Sequence, residues 1–544
     1  MDLLLDIFGF ASVLVSGVVR TAQCLTLGGI AFLAFIAVPL DHGTLTPRTI
    51  QLTRIFAWSL LVTVTALLAM QTTILAGTAE ISVMAALGGD FAIAQMVRIV
   101  GAILMLALLY RRSPSVPLLL ILALIDLAAG VATSHAMARV DDRGLLIAIT
   151  ALHHIGAAVW IGGLPCLLSA MRRLPAGSTR SRVGARYSML SMISVAAIAF
   201  SGIGMLIHYV GSVEAMYGTA YGLMLGTKIT LFFGLLALGY ANFRVVRGLA
   251  ADPAGSVIGL RRFAEVELGV GITIFFVAAS MTSLPPAIDL TRDRVGLTEI
   301  AQRLAPQWPS LTSPSRDSLA FYEGEKTIAE EKAQHKPPTL QAYVPGAGVP
   351  LPRNSHDVAW SEYNHHWAGI MVLAMGILVF LEKTEKAPWA RHWPLLLIVL
   401  AGFLFLRSEA EGWPTGSLTL AESVRDPEFI QHKTFMVLLT GFAVFEWGAR
   451  NQAMRNDWAK YVFPLICALG GMMLLTHSHS IANVKELLLL EMTHMPLAVF
   501  AIWSGWTRWL ELRLEDGRAK VVAGWLWPTF FCLTAITLLL YREA

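Results

Sequence analysis

Long apolar runs, broken by short polar turns, recur along the whole chain. Many approach the ~20 residues that cross a bilayer as a helix. Inside hydrocarbon only helices or closed barrels satisfy their own backbone, and runs of this length are helices. The pattern predicts about eight spans in the first half, at 11–40, 54–76, 91–110, 116–138, 144–170, 186–210, 220–243 and 263–283. A polar stretch rich in Pro, Ser, Gln and charge follows, with a short charged helix expected near 316–334. About six more spans come next, at 364–382, 393–407, 432–449, 459–476, 485–509 and 521–541. The expectation is an all-α, polytopic transmembrane helical bundle of about 14 spans. Its parts would be a domain at 1–284, an outer linker at 285–360 and a six-span domain at 361–544.

Composition agrees with the pattern. Of the 544 residues, 56% are hydrophobic and 14% charged, against roughly a quarter charged in a soluble protein. Cys24, Cys166, Cys467 and Cys532 all fall in apolar runs and form no C-x-x-C, so they read as small buried hydrophobes and not as a disulfide framework. The first run lacks the basic flank of a removable signal peptide and is read as a span. The net charge of +4 is small, and the basic residues lie in short loops, which gives no support to nucleic acid as a partner; the partner is membrane lipid.

The distribution of charge sets an orientation. Arg111 and Arg112, the run Arg172, Arg173, Arg180, Arg182 and Arg186, and the group Arg244, Arg247, Arg261 and Arg262 all fall on one face by simple alternation. Lys383, Lys386, Arg391, Arg450, Arg455 and Lys460 fall on that same face. Lys and Arg in short loops mark the cytoplasmic side. Both termini and the 285–360 segment are then expected outside, in the periplasm of a bacterial inner membrane. Of the fourteen histidines, only His42 and His392 fall on the inner side.

Histidines inside hydrocarbon are costly and point to function. One constellation is His135, Met137, His153, His154 and His208, with Met205 nearby in sequence. Imidazole suits copper and zinc, and thioether favours Cu(I). His153 and His154 point about 100° apart on a helix, so the alternative is one ligand and one hydrogen-bonded neighbour. A second constellation is His365, His366, His432, His477, His479, Glu491 and His494, drawn from four spans. Glu491 and His494 form E-x-x-H, which places both on one helix face, an arrangement that ligates metals in bundles. The alternative there is a set of interfacial histidines bonded to loops. Arg20, Gln23, Asp126 and Lys228 are polar residues inside spans; Lys228 either snorkels or is functional, and Asp126 reads as the ion-pair partner of Arg20, with an ion-path carboxylate as the alternative.

The first half resembles the CopD family of inner-membrane copper-resistance and copper-import proteins. The resemblance rests on V-R-T-A-Q-C-L-T-L-G-G around Arg20, S-H-A at 134–136, L-H-H-I-G-A-A-V-W-I-G-G at 152–163 and Y-G-L-M-L-G-T-K-I-T-L-F-F-G-L-L-A-L-G-Y-A-N-F-R at 221–244. It implies that His135, His153 and His154 are copper ligands on the outer side. It also implies copper passing from periplasm to cytoplasm, supplied by a small periplasmic carrier of the CopC type. The second half looks like the membrane region fused to CopD domains in some bacterial proteins, for which the resemblance implies no activity.

The leading reading is a membrane protein that binds copper, as Cu(I) or Cu(II), at its outer face and passes it inward. It is not read as an enzyme. No Walker A motif and no D-K-T-G motif occurs, which excludes an ATP-driven pump. A second reading is a b-type cytochrome holding haem b between His366, His432, His477 and His494, since paired histidines on separate helices ligate haem axially.

Overall fold

A computed structural model describes residues 8–40, 43–292, 294–334, 336, 354–454, 456–476 and 484–543. Among these residues the regular elements are helices and no strand occurs. Each of the fourteen apolar runs is a helix. They are α1 Phe8–Ala37, α2 Leu45–Thr78, α3 Asp90–Leu109, α4 Val116–Ala132, α5 Arg143–Arg173, α6 Ser178–Tyr209, α7 Ala220–Ala251 and α8 Ile258–Met281. In the second half they are α9 Ser355–Lys383, α10 Pro388–Arg407, α11 Pro427–Arg450, α12 Ala459–Leu474, α13 Val484–Arg513 and α14 Arg518–Leu539. Eleven of them are long and apolar enough to cross a membrane by length and composition. The other three are α4 and α12, which are shorter, and α11, which carries Glu428, Lys433, Glu446 and Arg450. The protein is a multi-pass, all-α membrane bundle. The charged helix expected near 316–334 is Ala320–Ala333, preceded by a single tight turn at Arg316–Ser318.

Local chemistry starts and stops these helices. Asn354 caps α9, its Oδ1 accepting the backbone N–H groups of His356 and Asp357. Asp426 caps α11, with Pro427 in the first turn where no backbone donor is missed. Exposed apolar side chains return to one face of several helices. Ile193, Phe200, Ile203 and Ile207 do so on α6, and Ile55, Trp58 and Val62 on α2. In a water-soluble protein such stripes would be anomalous, whereas against lipid tails they are the expected surface.

The described residues form two compact units. One comprises Ala11–Ala215 with Lys228–Asp289; the other comprises Leu290–Ala544 with Met216–Thr227 and the residues up to Phe10. In the first unit, α1 and α5 meet backbone to backbone. A Cβ on Gly28 would strike the backbone of Gly162 and Ala158, and one on Gly162 would strike the Cys24 carbonyl. The contact falls where α5 widens into a π turn, Ala158–Gly162.

The core of the second unit is aromatic and aliphatic. Trp393, Phe442, Phe463, Trp527 and Phe531 pack together with Met375, Val379 and Leu397. Over this core lies a lattice of six charges at one end of the unit. Arg450 bonds Glu446 and Glu382. Arg508 reaches Glu511 at 2.5 Å and Glu446 at 3.4 Å, and Lys383 reaches Glu511 at 2.6 Å. Arg450 and Arg508 also lie 5.9 and 5.1 Å from the centre of the Trp527 ring. Three cations face three carboxylates, so the lattice is neutral although largely buried.

Two outcomes follow from this packing. Glu446 is 1% exposed and serves two arginines, so Glu446→Gln strands charge in a dry site. Breaking a buried pair by removing one partner costs about 3–5 kcal/mol, and a marked loss of thermal stability in detergent is expected. The second outcome concerns Glu411, in the loop between α10 and α11. Burial pushes its carboxyl up to about 7, with help from Glu428, Asp426 and Glu409. Between the ordinary value of ~4.3 and this raised one, the folded state binds more protons than the unfolded chain, so stability falls as pH rises. Glu411→Gln is therefore expected to be more heat-stable than the wild type in mildly alkaline buffer. That gain should vanish in buffer below about pH 4. An equal effect at both pH values would show that Glu411 ionisation is not the cause.

Candidate functional site

The first unit assembles polar groups from α1, α3, α4, α5, α6, α7 and α8. Asp126 of α4 is fully buried; its Oδ2 accepts Gln23 Nε2 of α1 at 2.7 Å, and its Oδ1 accepts Arg98 Nε of α3 at 3.3 Å. The expected partner was Arg20. Arg98 takes the carboxylate instead, because α3 packs directly along α4. The positive charge of Arg20 reaches Arg98, Lys228 and His154.

His135 opens the short helix His135–Ala138 just after α4. Its Nε2 is buried and has no hydrogen-bond partner among the described residues. Burial, aided by the charges of Arg20 and Arg139, holds the imidazole below its ordinary range, so it stands neutral with a lone pair to give. Met137 is half-buried beside it, and its carbonyl accepts Arg143 Nε at 3.1 Å.

His153 and His154 lie about 15 Å along α5 from its first residue. Their ring centres are 6.5 Å apart with planes at 63°, as adjacent helix positions require. Ser201 Oγ of α6 donates its single proton to the Ala197 carbonyl at 2.6 Å. It therefore accepts from His153 Nδ1 at 3.1 Å, which leaves the His153 lone pair on Nε2. His154 makes no hydrogen bond among the described residues. The charge of Lys228 reaches both rings. His208 is engaged elsewhere, with Nδ1 donating to Gly204 O at 2.8 Å and Nε2 3.5 Å from Asp142. Met205 Sδ faces Thr150 Oγ1 at 3.9 Å.

In the second unit His365, His366, His432 and His494 lie within about the first three turns of α9, α11 and α13, near the end of α14, while His392 of α10 lies apart and accepts Trp447 Nε1 at 3.0 Å. His365 stacks on Tyr541 at 3.7 Å and meets His494 edge-on at 5.9 Å. Tyr541 OH and Ser361 Oγ both donate to the Glu543 carboxylate. Both nitrogens of His366 are taken: Nδ1 accepts Ser310 N–H at 2.7 Å, and Nε2 donates to Tyr541 O at 3.0 Å. His432 Nδ1 pairs with Glu409 Oε1 at 2.5 Å, and Lys433 holds the other oxygen at 3.0 Å. Glu491 is buried, and His494 Nδ1 donates to Leu490 O at 3.1 Å. His477 and His479 lie outside the described residues.

Two groupings therefore form, His153 with His154 and His365 with His494 and Tyr541. Among the described residues no set of three or more His, Cys, Asp or Glu side chains could enclose a metal ion. His366 could enter the haem reading only by giving up a hydrogen bond, and His432 only by leaving Glu409. Sequence reasoning missed Glu267 of α8, which is 2% exposed and accepts Asn242 Nδ2 of α7 at 2.8 Å. An acid inside an apolar run was the available signal. It also missed Glu409 as the partner of His432, for which spacing gave none.

Comparison with known proteins matches part of this chain. Residues 181–281, covering most of α6, α7 and α8, match the family model described as Copper resistance protein D. A segment of 162 residues is 32% identical to the protein named Copper transport protein CutJ of Bacillus subtilis (strain 168). The match covers 29% of this chain and 29% of that relative's length. No solved structure matches the chain. Residues 181–281, with Asn242 and Glu267 among them, thus belong to the CopD family.

Proposed function

We propose that this chain passes copper across a bacterial inner membrane, taking Cu(I) at the periplasmic end of the first unit through His135, His153 and His154. The observation that carries the reading is the His135 Nε2 atom, buried without a partner. A buried ring nitrogen left unbonded costs about 1–3 kcal/mol, a deficit that a soft metal ion removes. His153 Nε2 offers a second lone pair and His154 a third ring without a hydrogen bond. Neutral imidazole and thioether suit Cu(I), and the family match and the relative's name point the same way.

The donors stand as separate stations, and no cage of three encloses an ion. Cations at Arg20 and Lys228 oppose a resting positive charge beside His154. Both features favour transfer over storage. On the same reading a periplasmic carrier of the CopC type fits the role of supplier, and both termini face the periplasm.

The test is anaerobic Cu(I) uptake by proteoliposomes holding the full chain. His135→Ala and His154→Ala are each expected to slow uptake by about tenfold, equivalent to about 1.4 kcal/mol. Lys228→Met is expected to bind Cu(I) more tightly and release it more slowly. Undiminished uptake in the double histidine variant would overturn the reading.

A further inference from the structure

Several buried carboxylates in this protein are matched with cations. Asp126 has Arg98, Glu446 has Arg450 and Arg508, and Glu511 has Lys383 and Arg508. Glu267, like Glu491 of α13, has no such partner among the described residues. It is 2% exposed, sits midway along α8, and has no ion pair among the described residues. Its contacts are neutral: Asn242 Nδ2 at 2.8 Å, and the Trp160 indole facing the same carboxyl. The other titratable group whose charge would reach it is Tyr187 of α6, whose hydroxyl is committed to the Trp160 carbonyl. A carboxylate ionised in such a place without countercharge is strongly disfavoured, and a bound proton removes that penalty.

Asn242 supplies the second half of the device. Its Oδ1 is buried with no hydrogen-bond partner. With Glu267 ionised, Nδ2–H donates to the carboxylate. With Glu267 protonated, a half-turn of the amide brings Oδ1 into place to accept the carboxyl O–H. The pair therefore keeps one hydrogen bond in either protonation state, which a purely structural Glu–Asn contact does not need. Space for the change exists beside Gly239, where even a Cβ would stand 3.6 Å from Glu267 Oε1 and 3.8 Å from the Trp160 ring.

The placement ties this pair to the histidines. Trp160 lies six residues beyond His154 on the same helix, about 9 Å further along. It sits within the π turn Ala158–Gly162, and such turns occur often at functional positions.

We propose that Glu267 and Asn242 form a proton-binding site inside the membrane, and that a proton taken up or released there is coupled to passage of the ion beyond His154. The coupling rests on the copper reading above; the proton site does not. When Glu267 takes a proton, its carboxylate gains one O–H bond and one negative charge is lost, so inward passage of one cation can be balanced by one proton moving the other way.

Two measurements on the full chain in lipid separate these claims. Infrared spectra recorded between acidic and alkaline buffer, without copper, are expected to show a deuterium-sensitive carboxylic C=O band. That band should be lost in Glu267→Gln, shifted in Asn242→Leu and restored in Glu267→Asp, the last confirming that loss does not reflect misfolding. A spectrum unchanged by Glu267→Gln overturns the proton site. In proteoliposomes, an outward proton gradient across the imposed bilayer is expected to change the wild-type Cu(I) uptake rate and to leave that of Glu267→Gln unchanged. A gradient response kept in Glu267→Gln, or absent from an active wild type, overturns the coupling. A wild type that shows the infrared band and takes up no copper overturns the copper reading and upholds the proton site.

Discussion

A charge drawn into an apolar helix bundle needs an opposite charge or a proton, and the arrangement of this protein follows from how each charge meets that need. In the second unit the solution is collective. Glu446 stands between Arg450 and Arg508, and Glu511 between Arg508 and Lys383, so the ends of α9, α11 and α13 are drawn together over Trp393 and Trp527. In the first unit the solution is local, with Arg98 and Gln23 closing on Asp126. Against this background three groups of the first unit stand out: His135 with a ring nitrogen unbonded, His154 with no hydrogen bond among the described residues, and Glu267 with no countercharge.

The helices were legible in the chain because hydrocarbon leaves the backbone little choice. Each of the fourteen apolar runs became a helix, and even the short charged helix at Ala320–Ala333 could be read from its composition. Partnerships were harder to read. Arg20 and Asp126 are both conspicuous inside apolar runs, yet Asp126 pairs with Arg98, which lies about midway along the neighbouring span α3 and was not singled out in the sequence. Spacing along one helix finds Glu446 with Arg450 and Arg508 with Glu511; it says nothing of Glu382 or Lys383, which arrive from another helix.

The candidate site was legible to the same extent. Histidines announced themselves by their rarity in hydrocarbon, and His153 and His154 do share one place. Which nitrogen carries the lone pair was not legible, since it depends on the proton of Ser201, some 48 positions away in sequence. His366 shows the opposite case. Its sequence context looked like that of a ligand, while Ser310 and Tyr541, neither of them an obvious partner, occupy both its nitrogens.

The glycine contact between α1 and α5 has a mechanical meaning. Gly28 and Gly162 leave no side chain between the two backbones, so nothing soft is available there to absorb a shift. One to two turns before Gly28 the same helix carries Arg20 and Gln23, and Gly162 lies in the wide turn that also holds Trp160. A change in the winding of that turn would therefore be passed directly to α1, the helix whose Gln23 bonds Asp126, the partner of Arg98.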